Sequence, residues 1–301
     1  MDIALLCQIF FSLGTAIDVG GPMIPPFRKY IMNYGPRSTI STSNPSKFAS
    51  HQSKIVSLLE YVGSFQVPHT WFTHYYVISV ASSVFWAFQF YVHGTAFELI
   101  ASLSKPRLAA MTANQVFLAW LLMAIQGTRR LYESIAFTKP SQSKMWAGMW
   151  IIGMAFYVFM GISVWIEGIA SLNDLGRQGN LLEFSKPTVK TSLAILIFLV
   201  ASGVQHNCHR HLASLKKYSL PRSVWFQKVV CPHYTSECLI YVTIAMAAAP
   251  RGQVLNKTVL AGLGFVASNL AVTADSTRKW YIEKFGTEKV AGHWRMIPYV
   301  Y

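Results

Sequence analysis

Seven apolar stretches set the first constraint on this chain. They are Ile3–Val19, Trp71–Val92, Leu108–Gln126, Met145–Ala170, Thr188–Gln205, Tyr234–Ala249 and Val254–Ala274, the last two shorter or less apolar than the rest. A helix that crosses a bilayer needs about 20 mainly apolar residues, and these runs approach that length. Composition agrees: of 301 residues 52% are hydrophobic and only 13% charged, about half the charged share of a soluble domain. The sequence therefore predicts an all-α integral membrane protein, one seven-transmembrane-helix bundle over residues 1–301. The opening "MDIALLCQIFFSLGTAI" has no basic leader and no small-residue cleavage site, so it reads as a retained first span.

The loops can be tested against the positive-inside bias. Alternate loops and the tail carry 19 lysines and arginines on one side of the predicted bundle and 7 on the other. This places the N-terminus in the lumen and the C-terminus in the cytosol. The first cytosolic loop region, 20–70, contains "STISTSNPS" and reads as flexible over 38–53. The sequon "NKT" at Asn256 falls at a lumenal membrane edge and should stay unmodified. The net charge of +14 fits both the loop bias and an anionic partner. No polybasic tail or RNA-binding module accompanies it, so nucleic acid is not a predicted partner. The four cysteines (Cys7, Cys208, Cys231, Cys238) form no CxxC pair and imply no disulfide framework.

Ionisable groups near membrane spans are costly and suggest function. Here they gather at the cytosolic ends: His74; Arg129, Arg130 and Glu133; His206, His209 and His211; His233 and Glu237; Asp275, Arg278 and Tyr281. The segment "QHNCHRHLASLKK", Gln205–Lys217, concentrates the question. A metal site would need three or four ligands converging on one point, but His206 and His209 share one helix face and Cys208 and His211 another. No metal is predicted. A plain basic membrane stop and a grip on an anionic cofactor both remain open from the segment alone. No Walker-type or Rossmann-type loop is present, and the one "GLG", Gly262–Gly264, lies inside an apolar span where close helix packing explains it better.

Several separated blocks carry a resemblance. They are "SFQVPHTWFTHYYVISV" (Ser64–Val80), "RRLYES" (Arg129–Ser134), "QHNCHRHLASLK", "YSLPRSVWFQKVVCPHYTSECLIY" (Tyr218–Tyr241), "KWYIEKF" and the closing "RMIPYVY". In this order they resemble the steroid 5α-reductase family, and within it the branch that serves dolichol synthesis at the endoplasmic reticulum. The resemblance implies a multi-pass endoplasmic reticulum membrane enzyme with seven spans. It also implies NADPH as hydride donor and a substrate double bond conjugated to a carbonyl. It assigns Tyr34, Arg130, His209, Lys216, Tyr218, His233, Glu237, Arg278 and Tyr281 to the cofactor. Three of these depart from the family pattern: Lys216 replaces an arginine, His233 an asparagine and Arg278 a histidine. Glu60 and Tyr61 stand where the family has a glutamine–glutamate pair, which argues against a steroid.

Elementary chemistry narrows the substrate. Hydride attacks an electron-poor carbon, and an isolated allylic alcohol offers none. In a polyprenal the α-isoprene double bond is conjugated to an aldehyde, so its β-carbon is electrophilic. The enolate oxygen then needs a hydrogen-bond donor, and the α-carbon a proton. His74 is the candidate donor, with Glu60 and Tyr61 beside it. The predicted partner is thus a long-chain isoprenoid lipid held in the bilayer. The rival readings are a reductase of a steroid enone or a trans-2-enoyl thioester, a methyltransferase of the isoprenylcysteine type, and a seven-span receptor or transporter. The last should line a midplane cavity with its polar groups, whereas here they gather at one face.

Overall fold

The computed structural model describes residues 2–32, 54–105, 110–139, 141–178, 186–216 and 219–301. Helix α1 spans Ile3–Gly20 and is capped by Asp2, whose side chain accepts from the Ala4 N–H. The short turn α2, Pro25–Phe27, runs into a π-helical turn over Arg28–Met32. Helix α3 covers Lys54–Ser64 and leads into strand β1, Gln66–Pro68. Then come α4 (Thr73–Val92), α5 (Thr95–Leu103) and α6 (Ala113–Ala136). Strand β2, Lys144–Trp146, pairs antiparallel with β1 in the register Val67 to Met145. Helices α7 (Ala147–Ser163), α8 (Ile169–Gln178), α9 (Val189–Ser214), α10 (Pro232–Ala247) and α11 (Lys257–Phe285) complete the chain.

Among the described residues, five helical segments are long and apolar enough to cross a membrane: Ile3–Met23, His69–Val92, Ala147–Leu175, Val189–Ser214 and Lys257–Phe285. Two of the seven predicted spans fall outside this set for different reasons. Helix α6 has the length, at 24 residues, but carries Asn114, Gln115, Gln126, Arg129 and Arg130. Helix α10 is apolar but has only 16 residues. The predicted span Met145–Ala170 is interrupted: α7 ends at Ser163, and a 3-10 turn at Ile166–Gly168 separates it from α8.

Packing sets the neighbours: α1 lies along α11, α9 along α10, and α4 between α6 and α7. Lipid tails are as apolar as leucine, so close approach rather than hydrophobic exclusion holds such helices together. Gly161 of α7 shows how close: a Cβ there would lie 2.0 Å from the Ser82 hydroxyl of α4. Gly262 meets the packing expectation too, since a Cβ would lie 2.3 Å from Met160. Gly264 of the same "GLG" has only Thr15 nearby, at 3.5 Å. The main core joins Phe11, Phe156, Met160, Trp165, Phe198 and Ile244.

Several helix starts carry side-chain caps. Thr112 and Gln115 form a reciprocal capping box on α6. Asn256 caps α11 by accepting from Thr258 and Val259, both at 2.9 Å. Its Nδ2 donates to the Ala248 carbonyl and the side chain is fully buried, so the nitrogen that a glycan would take is occupied. Glu167, to which the sequence assigned no role, is 3% exposed and accepts from the Thr258 hydroxyl at 2.6 Å. All four cysteines are free.

Candidate active site

A buried polar network is built by four helices at one end of the bundle. Helix α6 keeps its periodicity past Gln126, so Gln126, Arg129, Arg130 and Glu133 project from neighbouring positions of one face. Helix α9 does the same with Gln205, His206 and His209. Glu133 is the hub, with its side chain 1% exposed. One carboxylate oxygen accepts from Arg129 Nη1 at 2.5 Å and faces His206 Nδ1 at 2.8 Å. The other accepts from Arg130 Nη1 at 2.6 Å and faces His209 Nδ1 at 2.7 Å. His209 Nδ1 also lies 2.9 Å from Arg130 Nη1. A nitrogen that donates to the carboxylate cannot accept from the guanidinium, so that second approach is a contact and not a hydrogen bond.

Glu133 lies beyond the apolar part of α6. Burial by itself would raise its carboxyl; the His209 ring and the guanidiniums of Arg130 and Arg129 outweigh burial and hold it far below its ordinary value. The carboxylate therefore stays ionised, and its charge is what allows two arginines to sit half-buried beside it.

Above the hub, the network reaches α4 and α10. Arg130 Nη2 donates to the Tyr76 hydroxyl at 2.5 Å, and the guanidinium lies 4.7 Å from that ring's centroid. Arg129 Nη2 donates to Gln126 Oε1 at 2.6 Å and also to Gln205 Oε1. The amide of Gln126 donates to the Glu237 carboxylate at 3.2 Å, and the amide of Gln205 reaches the same group. Gln126 and Gln205 are each 2% exposed. Tyr157 of α7 packs edge-on to Tyr76 at 5.9 Å, and Tyr241 of α10 is buried within the same core. A chain of polar groups thus runs from Glu133 into the apolar core.

The predicted site residues divide. Arg130, His209 and Glu237 belong to this network. His233 opens α10 beside it, with ring contacts to His209 at 5.4 Å and Tyr234 at 4.3 Å. Tyr281 is buried in a second apolar cluster with Val230, Cys231 and Met296. Arg278 lies on the same helix, half-buried. Lys216 is exposed just past α9. Tyr34 and Tyr218, like the segment 38–53, lie outside the described residues.

His74 stands on α4 two residues from Tyr76, hence turned to another side of the helix. Its ring contacts are Trp71 at 5.3 Å and Trp150 at 5.9 Å. Glu60 and Tyr61 do not join it. Both are exposed on α3, Tyr61 at 64%, and the Tyr61 ring packs on Phe65. An exposed carboxylate has no desolvated partner to act on, so this placement does not form the trio expected from sequence.

The sequence reading missed Gln126, Gln205, Tyr76, Tyr157 and Tyr241. Gln126 and Gln205 were legible in principle. They closed two predicted spans, and a polar residue at the end of an apolar run reads as a boundary when it can equally be an inward-facing member.

The site is therefore that of a membrane-embedded protein which keeps an ionised, hydrogen-bonded cluster at one end of an apolar bundle. Residues 149–301 match the family model described as 3-oxo-5-alpha-steroid 4-dehydrogenase. The chain belongs to this family, the steroid 5α-reductases. It is similar to the polyprenal reductase of Saccharomyces cerevisiae, 27% identical over 292 residues that cover 97% of this chain and 92% of the relative. It is also similar to polyprenal reductase 1 of Arabidopsis thaliana, 28% identical over 270 residues, covering 79% and 82%. Polyprenal reductase 1 of Oryza sativa subsp. indica is 26% identical over 356 residues, covering 98% and 97%.

Proposed function

We propose that this protein is an NADPH-dependent reductase of the α-isoprene double bond of polyprenal, so that the net pathway leads from polyprenol to dolichol for protein N-glycosylation. The observation that carries this reading is similarity along nearly the whole chain to relatives named for that substrate. The arrangement suits it: an apolar bundle can hold an isoprenoid, and the polar cluster can receive its aldehyde end. We further read the bundle as seven spans, with α6 and α10 completing the five apolar segments. The cluster then faces the cytosol, where NADPH is available, and the membrane is that of the endoplasmic reticulum.

The residues present fit a phosphorylated, hydrogen-bonding cofactor. Buried polar atoms normally find partners, yet His233 Nδ1 and Arg278 Nε are buried and unpartnered among the described residues. Both are positions that the family resemblance assigns to the cofactor. Arg278, with Lys216 at the end of α9, would meet phosphate charge. Glu237, already holding two side-chain amides, would accept from a carboxamide. NADPH, when bound, supplies the hydride.

The protein's own part in the reaction is to polarise the aldehyde and to manage the proton. Two donors on α4 flank Tyr75. The His74 ring sits between tryptophans, and the Tyr76 hydroxyl is tied to Arg130. Either would hydrogen-bond the developing enolate oxygen, and the Arg130 guanidinium makes the Tyr76 hydroxyl the better placed for negative charge. Protonation of the α-carbon completes the saturated aldehyde.

The test uses purified protein with NADPH and, separately, polyprenal, polyprenol and a steroid enone, with lipid products identified by mass. Saturated aldehyde formed from polyprenal alone is the expected result. Rapid reduction of polyprenol in a dehydrogenase-free preparation would remove the conjugation argument. Turnover of the steroid alone would keep the family and overturn the substrate.

A further inference from the structure

Helix α3 does not span the membrane, and it is too short to fold alone. At about 100° per residue its side chains fall into three strips. Val56, Leu59 and Gly63 form the inner strip, half-buried or buried. Ser57, Glu60 and Ser64 form an exposed polar strip. The third strip points outward and is apolar except for the exposed Lys54 in the first turn, whose long stem can carry its ammonium to the headgroups: Leu58 is 60% exposed, Tyr61 64%, and Phe65, directly after the helix, 52%. A helix lying on a soluble protein needs only the first two strips.

The helix is firmly held at its C-terminal end. A Cβ on Gly63 would lie 2.5 Å from the Tyr30 carbonyl, so the helix backbone touches the π-turn that follows the first apolar segment. Trp146 Nε1 donates to the Val62 carbonyl at 3.0 Å, and the Ala147 N–H to the Phe65 carbonyl at 2.8 Å. Trp146 and Ala147 open α7, and β1 leads directly into the segment His69–Val92. All three attachments are thus at the ends of membrane-crossing segments, on the end of the bundle that carries the Arg130 network.

We propose that α3 is an interfacial helix: it lies along the membrane surface with Leu58, Tyr61 and Phe65 in the outer acyl region of the bilayer leaflet and Ser57, Glu60 and Ser64 in water. The occupant of the outward strip is lipid because the strip ends at the membrane-crossing segments: the Phe65 carbonyl is held by Ala147, and one turn along α7 Trp150 packs at 5.0 Å on Trp71, which is exposed, as is Val77, on the apolar segment His69–Val92. A second copy of the chain is the poorer fit. The three side chains are 60%, 64% and 52% exposed, so at about 200 Å² for a whole side chain a pair of copies would bury roughly 700 Å² between them, short of the roughly 1,000 Å² in total that a specific protein interface needs. Amphipathic helices of this kind are held at membrane surfaces by such modest apolar area. The inference does not depend on which substrate is reduced.

Site-directed spin labelling of the full chain in phosphatidylcholine nanodiscs tests it. The background is Cys238→Ser, which removes the one cysteine that is not buried. Labels are placed at Leu58→Cys, at Ser57→Cys and, as a lipid reference, at Val84→Cys, a 63% exposed position of α4. All three positions are exposed, so folding is undisturbed. The oxygen-to-nickel-chelate accessibility ratio at Leu58 should approach that at Val84 and exceed that at Ser57 severalfold. Equal nickel access at Leu58 and Ser57 would put α3 in water and overturn the proposal. So would dipolar broadening at Leu58, which would show a second copy, or immobilisation with access to neither reagent, which would show cover by the chain itself.

Discussion

Glu133 is the residue on which the site most depends. Four nitrogens, from two arginines and two histidines, point at two oxygens. Glu133→Gln keeps the shape and removes the charge, leaving two half-buried guanidiniums unbalanced. Breaking a buried ionic group this way costs about 3–5 kcal/mol, so the variant should unfold at markedly lower temperature in detergent.

The same residue gives a pH prediction. Its folded carboxyl titrates far below the ordinary value of 4.5, so the unfolded chain takes up the proton first as pH falls. The stability contributed by Glu133 is complete above that ordinary value and declines steadily below it. Unfolding midpoints measured downward from pH 6 should show the decline in the parent and a weaker one in Glu133→Gln.

Tyr76 and His74 can be separated kinetically. If Tyr76 carries the enolate hydrogen bond, Tyr76→Phe lowers kcat by about 10²-fold or more with little change in the KM for NADPH, and His74→Gln does not. The reverse pattern would assign the donor to His74. Arg130→Lys should instead raise the NADPH KM, because a point charge cannot serve Glu133 and Tyr76 in two directions at once.

At the level of elements, α4 is the keel of the bundle, with α6 on one side and α7 on the other. Its contact with α7 is governed by the Gly161–Ser82 approach. Gly161→Ala should destabilise by about 1–3 kcal/mol. Adding Ser82→Ala, which removes the hydroxyl in the way, should restore part of the loss, read as a coupling energy from thermal midpoints. At α11 the helix stops at Gly286, whose φ of 88° and ψ of 152° fall in a region that only glycine adopts without strain. The elements also show why apolar length alone does not settle the number of spans. Helix α10 is largely buried by its neighbours and can be short, whereas α6 keeps Leu121 and Ile125 exposed and turns Gln126 and Glu133 inward. Helix α9 carries polar groups just as freely past Gln205, but its first turns are apolar enough to be recognised.

At the scale of the whole molecule, the C-terminal residues close the fold. Val230 N–H donates to the Trp294 carbonyl at 2.8 Å, and Cys231 N–H to the Arg295 carbonyl at 3.0 Å, so the tail pairs with the chain that opens α10. Arg295 also meets Asp275 of α11 at 2.6 Å, and its guanidinium lies 5.0 Å from the Tyr301 ring. Deleting residues 294–301 removes these contacts beside His233 and Tyr281. NADPH binding by the truncated chain should be lost or greatly weakened, as measured by cofactor fluorescence.

The sequence by itself determined the membrane setting, because apolar length and scarcity of charge are properties of runs. It also determined the family, through motif blocks in a fixed order, and the gathering of Arg130, His209 and Glu237, because each follows or opens an apolar run at the same end. Only tertiary structure decided the orientation of side chains around each helix. It turned Gln126 and Gln205 inward toward Glu237, joined Tyr76 to Arg130, and separated Glu60 and Tyr61 from His74. A one-residue change of position rotates a side chain by about 100°, and what settles that angle is the neighbouring helix, which no local pattern contains.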